Sequence, residues 1–550
     1  TKDIVEEIMK SYKTAVKTET NIVSLSDDYI KFIRFAHWKM EKVNKGVIGI
    51  ITNNSFIDGI IHRGMREELT KTFDEIYILN LHGNSNIGET CPDGSKDENV
   101  FDIKQGVSIS FFVKTGKSKG NKGATGNKGL KPLVYYYSLQ NLREQKYSFL
   151  YENNINTIEW EKLTVEAPNF WFKKKVLSGE DEYKTGWGIG EIFYSSGSGV
   201  KTDRDDLVID FEESNLLKKM KIATSTNYNN DFKSTHNIVN SSSYKFEDKL
   251  KIEKVEKKYI TKISYRPFDI REIYYRIGFT SRPAGEITKH LINNNNLGLI
   301  TTRQYIENDL FSHAFVFNII TDVRITTSNR GTAYLFPLYL YPDSNSLDQE
   351  RKPNFTDDFN KYLNEKKLDN KTPEEILGYI YSILYSPTYR TKYYEFLKID
   401  FPRIPFEIPL TPDLSRGLWN QLSELGQRLI DLHLLKTEFD KNIVSFPVAK
   451  PDLKVTKVEY KPLQTSPSKG EAVWGQVWFN DTTYFDNVPQ NVWDYYIGGY
   501  QVLDKWLKER KKHEYILTGE DLRHFIKVCN VLAETIEIQG KIDELTRDWV

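Results

Sequence analysis

Apolar positions in the first part of the chain alternate between helical spacing and short continuous runs. Helical spacing over 26–42 and again over 61–73 predicts two helices, each with one apolar face. Short apolar runs predict strands at 47–51, 75–81 and 106–114. The order helix, strand, helix, strand, strand is typical of an α/β sheet. Because no helix separates the last two strands, they are predicted to form an antiparallel hairpin at the edge of the sheet.

The pattern changes three times further along the chain. Residues 132–345 are rich in Tyr, Phe, Ile and Thr with frequent turn residues, which predicts mainly strands and a few helices. Residues 355–445 have helical spacing, and 446–492 are strand-like. The tail is helical again, with Thr518 and Asp521 as a capping pair.

The first strand ends in the polar residues Asn53, Asn54 and Ser55, within "GVIGIITNNSFIDG". In open α/β sheets, ligands bind beyond the carboxyl ends of the strands, so these side chains are candidates to line a pocket. The alternative is a helix N-cap with an Asx turn, for which Asn and Ser are preferred residues. The stretch alone leaves both interpretations open.

Charge is balanced over the 550 residues, with 76 Lys and Arg against 76 Asp and Glu. A nucleic-acid surface therefore requires local segregation of charge. Residues 114–131, "KTGKSKGNKGATGNKGLK", contain six Lys, five Gly and no acid. We expect Lys117, Lys119 and Lys122 to meet phosphates without reading sequence, although a solvated loop between strands is the plainer alternative.

Other classes of chemistry have no complete signature in the sequence. The nine His and two Cys show no metal-ligand spacing, so no metal site and no catalytic residue are predicted. The distant Cys91 and Cys529 indicate a reducing compartment, and no apolar run reaches membrane-spanning length. We therefore expect a cytoplasmic protein without a membrane partner.

Ten stretches, in order along nearly the whole chain, resemble one family, the Type ISP single-polypeptide restriction–modification enzymes and related N6-adenine DNA methyltransferases. "LSDDYIKFIRFAHWKM", "GVIGIITNNSFIDG", "IYILNLHGNSN" and "ENVFDIKQGVSISFFVK" look like the second half of the methyltransferase domain. The stretches that look like the specificity part are "SSGSGVKTDRD", "YRPFDIREIYY", "TSRPAGEITKHL", "LFPLYLYP", "YIYSILYSPTYRTKYYEFLKIDFPRIPF" and "VWDYYIGGYQVLDKWLKERK". Each motif alone is weak, but the ordered set is specific.

The resemblance implies a fold and three segments. The expected fold is a partial Rossmann-like methyltransferase sheet containing its last strands, followed by an α+β target recognition domain with a helical C-terminal part. Residues 1–135 would be the C-terminal half of the adenine methyltransferase domain. Residues 136–345 would be the mainly β target recognition domain, and 346–550 the helical and mixed end of the specificity domain.

The resemblance also implies the cofactor and partners. The complete enzyme would transfer a methyl group from S-adenosylmethionine to the adenine amine in double-stranded DNA. This sequence contains no Asn-Pro-Pro-aromatic loop, which holds the amine in the family, and it starts near where the chain would leave that loop. We therefore expect the donor site to lie outside this chain, in a missing N-terminal methyltransferase half. In this context Asn53, Asn54 and Ser55 look like the rim of the target-base pocket.

Sequence readout requires side chains with two-point hydrogen bonding, chiefly Arg for guanine and Asn or Gln for adenine. The candidates are Lys201, Thr202 and Arg204 on a loop that starts with glycine, Arg303 and Gln304 in "TTRQYIEN", and Asn329 and Arg330 on a predicted strand-connecting turn. For Arg204, neutralisation by neighbouring aspartates is the alternative. Arg266, Asp269 and Arg271, interleaved with aromatic residues, predict an internal ion-pair network instead.

The favoured function is DNA target recognition, together with part of the methyltransferase domain, in a bacterial restriction–modification system. A non-enzymatic DNA-specificity subunit that acts with a separate partner is the alternative from another class. An aromatic-rich scaffold without a DNA role is the third.

Overall fold

The chain folds into two compact units, residues 1–178 and 179–550. The computed structural model describes residues 2–17, 22–85, 89–91, 93–116, 132–174, 179–305, 311–327, 332–342, 350–408, 411–463 and 473–550. None of the helices in these ranges combines the length and apolarity that a membrane span needs.

The first unit contains one sheet and four helices within its described residues. Its elements are α1 Lys2–Thr14, α2 Asp28–Glu41, β1 Gly46–Asn53, α3 Arg63–Thr72, β2 Glu75–His82, β3 Val107–Lys114, β4 Leu133–Ser138, α4 Arg143–Glu152 and β5 Glu161–Leu163. The two helices and three strands predicted before residue 115 are confirmed, with helix α2 beginning two residues later than expected.

The strand order is β1-β3-β2-β4-β5, in which β2 and β4 are parallel and the other neighbours are antiparallel. The prediction of an edge hairpin is wrong in one respect, because β3 lies between β1 and β2 and not at an edge. Side chains of β3 are buried on both faces, including Val107 on one face and Phe112 on the other, which suits an interior strand. The carboxyl ends of β1, β2 and β4 meet at one edge of the sheet.

Helices α1, α2 and α3 cover one face of this sheet. Their core side chains include Tyr12, Ile33 and Met65, which pack with Phe73 and Phe112 and are fully buried. Burying each such side chain contributes roughly 1.5–3 kcal/mol, so this layer fixes the positions of the strand ends.

The second unit is larger and contains several small sheets and many helices. Its first elements are α5 Glu180–Thr185, β6 Trp187–Gly188, α6 Ile189–Ile192, β7 Gly197–Ser198, α7 Asp205–Val208, β8 Ile209–Asp210, α8 Glu213–Ser225, α9 Asn230–Thr235, α10 Phe246–Ile252, β9 Ile260–Arg266, β10 Asp269–Tyr274, α11 Gly285–Thr288, β11 Gly298–Thr302, β12 Ala314–Phe317, β13 Ile320–Thr321, β14 Ala333–Pro337 and β15 Tyr339–Leu340. The remainder are β16 Lys352–Pro353, α12 Asp357–Glu365, α13 Pro373–Tyr385, α14 Pro387–Lys392, α15 Tyr394–Leu397, β17 Arg403–Ile404, α16 Pro412–His433, β18 Glu459–Pro462, β19 Trp474–Trp478, β20 Tyr484–Pro489, α17 Gln490–Trp493, β21 Tyr496–Ile497, β22 Tyr500–Gln501, α18 Val502–Lys512 and α19 Gly519–Thr546.

Two four-stranded sheets, β13-β9-β10-β8 and β12-β11-β14-β7, form the centre of the strand-rich part. Helices α13 and α16 pack so closely at Gly378 and Gly426 that only glycine fits there. A Cβ at Gly426 would lie 1.8 Å from the Gly378 carbonyl oxygen. The Thr518–Asp521 capping box at the start of α19 is confirmed.

The structure is a mixed α/β fold with several sheets. Residues 136–345 include helices α4 to α11, more helix than predicted. Helix α8, for example, buries Leu216, Met220 and Ala223 at a spacing of three to four residues. The aromatic and β-branched composition of the segment obscured that periodicity. Strand β4 spans residue 135, and the three-segment division and the methyltransferase identity of the first sheet stay predictions.

Candidate nucleic-acid interface

The loop 199–206 is held by backbone hydrogen bonds on both sides. Val200 donates its N–H to the carbonyl of Thr321, the last residue of β13, at 2.8 Å. On the other side, Lys201 and Arg282 exchange two backbone hydrogen bonds of 3.0 Å. A Cβ at Gly199 would come within 2.8 Å of that β13 carbonyl oxygen, so the close approach requires glycine. The loop therefore presents its side chains from a fixed backbone.

Internal hydrogen bonds also fix the middle of the loop. The Thr202 hydroxyl donates to the Asp205 carboxylate and accepts from the Arg204 N–H at 3.1 Å. Tyr265 donates its hydroxyl to the other Asp205 oxygen at 3.0 Å. Thr202 is buried, so in this conformation it supports the loop from within.

The partly exposed Lys201 pairs with Asp203 at 2.8 Å, and Ser281 Oγ donates to the same carboxylate at 2.9 Å. Burial raises the pKa of Asp203, but the Lys201 ammonium and the Ser281 hydroxyl outweigh it and lower the pKa overall. The acid is thus charged and already neutralised by its neighbours.

Arg204 points into the protein. Its side chain is buried, Nη2 donates to the Val239 carbonyl at 2.9 Å, and the guanidinium lies 4.5 Å from the centroid of the Phe246 ring. Its contact with guanine stays a prediction, and that contact would require the side chain to leave these partners.

Two arginines beside the loop were not predicted. Arg282 and Arg324 are both exposed, and within the described residues neither forms an ion pair. The sequence contains a local signal for Arg282, which directly precedes Pro283. A residue before proline favours extended backbone, and the extended backbone of Arg282 pairs with Lys201. For Arg324 we find no signal in the sequence.

A cavity of about 370 Å³ opens between these elements, lined by Lys201, Asp205, Arg266, Asp322 and Arg324 among others. Asp322 accepts from Arg266 Nη1 at 2.8 Å and from the Arg324 N–H at 2.9 Å. Burial raises the pKa of Asp322 to about 6, against the attraction of the Arg266 guanidinium. Asp205 and Asp322 are therefore hydrogen-bonded within the protein. The Arg324 guanidinium is exposed and can bind a group from outside the chain.

The predicted ion-pair network behind this surface is confirmed and extends further than the sequence indicated. Arg271 binds Asp269 at 2.7 Å and Glu509 at 2.9 Å, and Arg510 binds Asp269 at 3.3 Å. Burial raises the pKa of Glu509, but the Arg271 and Lys505 charges dominate and lower it to about 2. The network joins β10 to α18, which are separated by over two hundred residues in sequence.

The other predicted DNA contacts lie elsewhere or outside the described residues. Arg303 pairs with Asp400 at 2.8 Å, and Gln304 donates to the Ile399 carbonyl at 3.3 Å. The positions outside the described residues are Lys117, Lys119, Lys122, Asn329 and Arg330. Contacts of all these residues with DNA stay predictions.

In the first unit, the polar residues after β1 have two different roles. Asn53 Oδ1 accepts from the Ser55 N–H at 2.8 Å and from its hydroxyl at 2.7 Å, which is the Asx turn given above as the alternative. Asn54 Nδ2 instead donates to Asn80 Oδ1 at 2.9 Å, and Asn80 donates to the Tyr136 hydroxyl at 3.1 Å. The sheet edge thus carries a continuous polar row.

The same edge contains a Ser–His–Glu relay. His82 lies 2.8 Å from Ser138 Oγ and 2.5 Å from Glu89 Oε1. Nucleophilic catalysis also needs free donors for an oxyanion. The nearby N–H groups of Gly83, Asn84 and Leu139 already donate to Asp97, Glu89 and Asn80. The relay therefore fixes strand ends, and no cluster able to hold a metal occurs in the described ranges.

Residues 169–172, an aromatic segment that the sequence analysis missed, are hydrogen-bonded to the residues that follow β1. The Phe172 N–H donates to the Ile57 carbonyl at 3.0 Å, and the fully buried Arg66 donates to the Asn169 carbonyl at 2.7 Å. Burial lowers the pKa of Arg66 to about 9. Phe170 has a φ of 50°, a left-handed conformation that is strained for a bulky residue. Its ring is half-buried.

Comparison with known proteins gives one family and a set of similar structures. A family model described as the Type ISP C-terminal specificity domain matches residues 191–538. The chain is similar to the ATP-dependent Type ISP restriction-modification enzyme LlaBIII bound to DNA, with a TM-score of 0.75. It is also similar to the DrdV–DNA complex, with a TM-score of 0.72, and to a nuclease-deletion mutant of the Type ISP enzyme LlaGI with a DNA substrate mimic, with 0.69.

Sequence identity to each of these structures is 22%, and each alignment covers 98% of this chain. The chain spans 36%, 54% and 50% of the LlaBIII, DrdV and LlaGI chains, respectively. The likeness at this identity establishes the fold. No curated protein sequence matches the chain.

Proposed function

The chain belongs to the family of Type ISP C-terminal specificity domains, and we propose that its 179–550 unit recognises a target sequence in double-stranded DNA. The similar structures that support this proposal are themselves DNA complexes. Net charge is zero, so recognition has to come from a local surface.

The observation that carries the proposal is the pair of exposed guanidinium groups of Arg282 and Arg324 beside a rigid loop. Neighbouring acids are occupied, Asp203 by Lys201 and Asp322 by Arg266. An arginine held on a fixed backbone without an acidic partner can donate two parallel hydrogen bonds to a guanine edge or to a phosphate. Of the two, we assign base readout to Arg324, because it lines the cavity.

The test compares Arg324→Ala with the parent chain in a selection of bound sites from a random duplex library. A bidentate contact with guanine is worth roughly 1–3 kcal/mol, so the variant should lose preference at one base position. Arg282→Ala should keep the base preference but weaken binding to every sequence, with a salt slope smaller by about 0.9 per phosphate contact.

Arg523→Ala is the matched control, because Arg523 is an exposed arginine on α19 and far along the chain from the loop. It should bind DNA as the parent does. An Arg324→Ala variant with the parent's preference at all positions would overturn the assignment. Failure of the folded parent to bind any duplex at low salt would instead favour the scaffold alternative.

For the first unit we propose the last strands of a Rossmann-like adenine methyltransferase sheet, completed by an N-terminal half outside this chain. Strand β1 pairs on one side only in the described part of the sheet. Val47 and Ile51 on its outer face are 61% and 52% exposed, and Phe32 on α2 is 67% exposed. Exposed apolar side chains on a strand with a free edge and on a neighbouring helix are suited to contact further strands and helices of the same sheet.

The polar edge of this sheet would form the rim of a pocket for a flipped adenine, with Asn54 and the half-buried Phe170 as the groups that meet it. The described residues do not fit S-adenosylmethionine. The turns after β1 and β2 are filled by Asn54, which bonds Asn80, and by Asp97, which takes the Gly83 N–H. We therefore place the methyl-donor site of the complete enzyme outside this chain.

This second proposal is tested by incubating DNA with tritiated S-adenosylmethionine. The chain alone should leave DNA unlabelled, and the same chain extended upstream in its reading frame should label adenine. Labelling by the chain alone at enzymatic rates would refute the proposal. An extended chain that binds DNA but never labels it would favour the separate specificity subunit.

A further inference from the structure

A second cavity, of about 590 Å³, lies in the 179–550 unit away from the 199–206 loop and shares no lining residue with the first cavity. It is lined by Phe311, His313, Arg390, Asp494, Tyr495 and Tyr496, among others. This size is typical of sites for small organic ligands. The lining combines aromatic rings with one buried cation.

That cation, Arg390, is only 8% exposed. Its Nε donates to the Leu384 carbonyl at 2.6 Å, and the guanidinium lies 4.6 Å from the centroid of the Tyr385 ring. Its Nη2 has no hydrogen-bond partner, and among the described residues no acid forms an ion pair with it. This differs from Arg271 and Arg266, whose buried guanidinium groups each bind a carboxylate.

The buried groups around Arg390 are neutral, whereas the acid that lines the cavity, Asp494, is exposed. His433 is buried beside the same tyrosines, and burial, reinforced by the Arg390 charge, lowers the pKa of His433 to about 3. Tyr385 donates its hydroxyl to the Ala314 carbonyl, and Tyr495 donates to Gln539. A buried guanidinium without a counter-ion is unfavourable, so the site is suited to an anion supplied from outside.

The walls of the cavity define what accompanies the anion. Phe311 is buried, Tyr495 is partly exposed and Tyr496 is 46% exposed, so aromatic surface extends from the floor to the opening. Asp494 and Asn491 are exposed, which places hydrogen-bond acceptors at the solvent-accessible part of the lining. The arrangement fits a planar ring against the tyrosines, hydroxyl or amino donors at the rim, and an anionic group on Arg390.

We propose that this cavity binds a nucleotide, with its phosphate on Arg390 and its base against Tyr495 and Tyr496. Guanidinium binds phosphate in a bidentate manner, and aromatic side chains stack on any base. The nucleotide is either a free mononucleotide or a nucleotide unit of a DNA strand, because both present the same chemistry. The inference stands apart from the proposed readout by Arg324.

The test measures binding of 5′-AMP, adenosine and inorganic phosphate to the full chain by calorimetry and thermal shift. AMP should bind more tightly than either fragment. Arg390→Met should weaken AMP binding by about 10- to 100-fold, to the level of adenosine, as expected for loss of a charge-assisted hydrogen bond. Tyr496→Ala should weaken AMP and adenosine but leave phosphate binding unchanged.

Folding is controlled within the same experiment. Arg390→Met removes a buried charge that has no counter-ion, but it also loses the hydrogen bond to the Leu384 carbonyl. We therefore expect a cooperative ligand-free thermal transition close to that of the parent, which shows that the variant is folded. Arg523→Ala, the exposed control on α19, should bind AMP as the parent does. Absence of AMP binding to the folded parent, or equal binding by Arg390→Met, would overturn the proposal.

Competition identifies the source of the nucleotide. Displacement of AMP by a short duplex with an unpaired adenine indicates a DNA nucleotide, whereas displacement by mononucleotides alone indicates a free ligand. Loss of base preference in Arg324→Ala, with AMP binding retained, would show that the two sites act independently.

Discussion

Arg204 separates two interpretations of the same residue, a base-reading side chain and an internal support of the loop. The perturbation is Arg204→Ala, which leaves the loop backbone and the Thr202–Asp205 hydrogen bond in place. In the structure, the variant loses the hydrogen bond to Val239 and the contact with the Phe246 ring.

The magnitude follows from these two contacts. A hydrogen bond from a charged donor is worth roughly 1.5–3 kcal/mol. A largely desolvated cation–π contact adds roughly 0.5–2 kcal/mol. Relief of the buried Nε, which has no acceptor in the described structure, offsets part of this. We expect the free energy of unfolding to fall by about 3 kcal/mol, or roughly a hundredfold in the unfolding constant.

Urea unfolding of the full chain, followed by circular dichroism, measures this loss, with Arg523→Ala as the control that should be unchanged. DNA selection on the same variants measures base preference. The internal role predicts lower stability and weaker binding with the parent's preference retained. Unchanged stability together with lost preference at one base would refute this reasoning and place Arg204 on the DNA.

Three further predictions concern stability and binding. Asp269→Asn should lower the free energy of unfolding by about 3–5 kcal/mol, because it leaves two buried guanidinium groups without their shared carboxylate. A loss below about 1 kcal/mol, measured by thermal unfolding, would contradict this prediction. His433 has a folded pKa of about 3, below its unfolded value. Below pH 6.5 the unfolded state therefore binds a proton that the folded state does not, and the free energy of unfolding falls as the pH is lowered towards 3. Below pH 6.5 the free energy of unfolding of the parent should therefore fall by about 1.4 kcal/mol per pH unit more than that of His433→Gln. The same pH dependence for both proteins, measured by urea unfolding, would exclude this. Replacing Lys117, Lys119 and Lys122 together by Ala should weaken binding to all duplexes about equally and flatten the salt slope; a change in base preference would contradict a phosphate role.

Local patterns in the sequence specify the secondary-structure elements of this protein and carry its family resemblance. Strands β1, β2 and β3 and helices α2, α3 and α19 were predictable because their apolar period and caps are encoded within each segment. The ion pairs around Asp269 were predictable in kind, since charged residues interleaved with aromatic residues have to pair when the segment is buried.

The positions of those elements and charges in space depend on contacts between distant parts of the chain. The insertion of β3 between β1 and β2 depends on strand pairing across sixty residues, which no local pattern specifies. Whether an arginine is buried or exposed depends on residues distant in sequence. Arg204 is covered by Phe246, Arg324 is left outward because Arg266 neutralises its neighbouring acid, and Arg390 is enclosed without an acid. Identical side chains thus acquire different roles from their surroundings, because the free energy of a charge depends on its solvation and partners and not on its position in the chain.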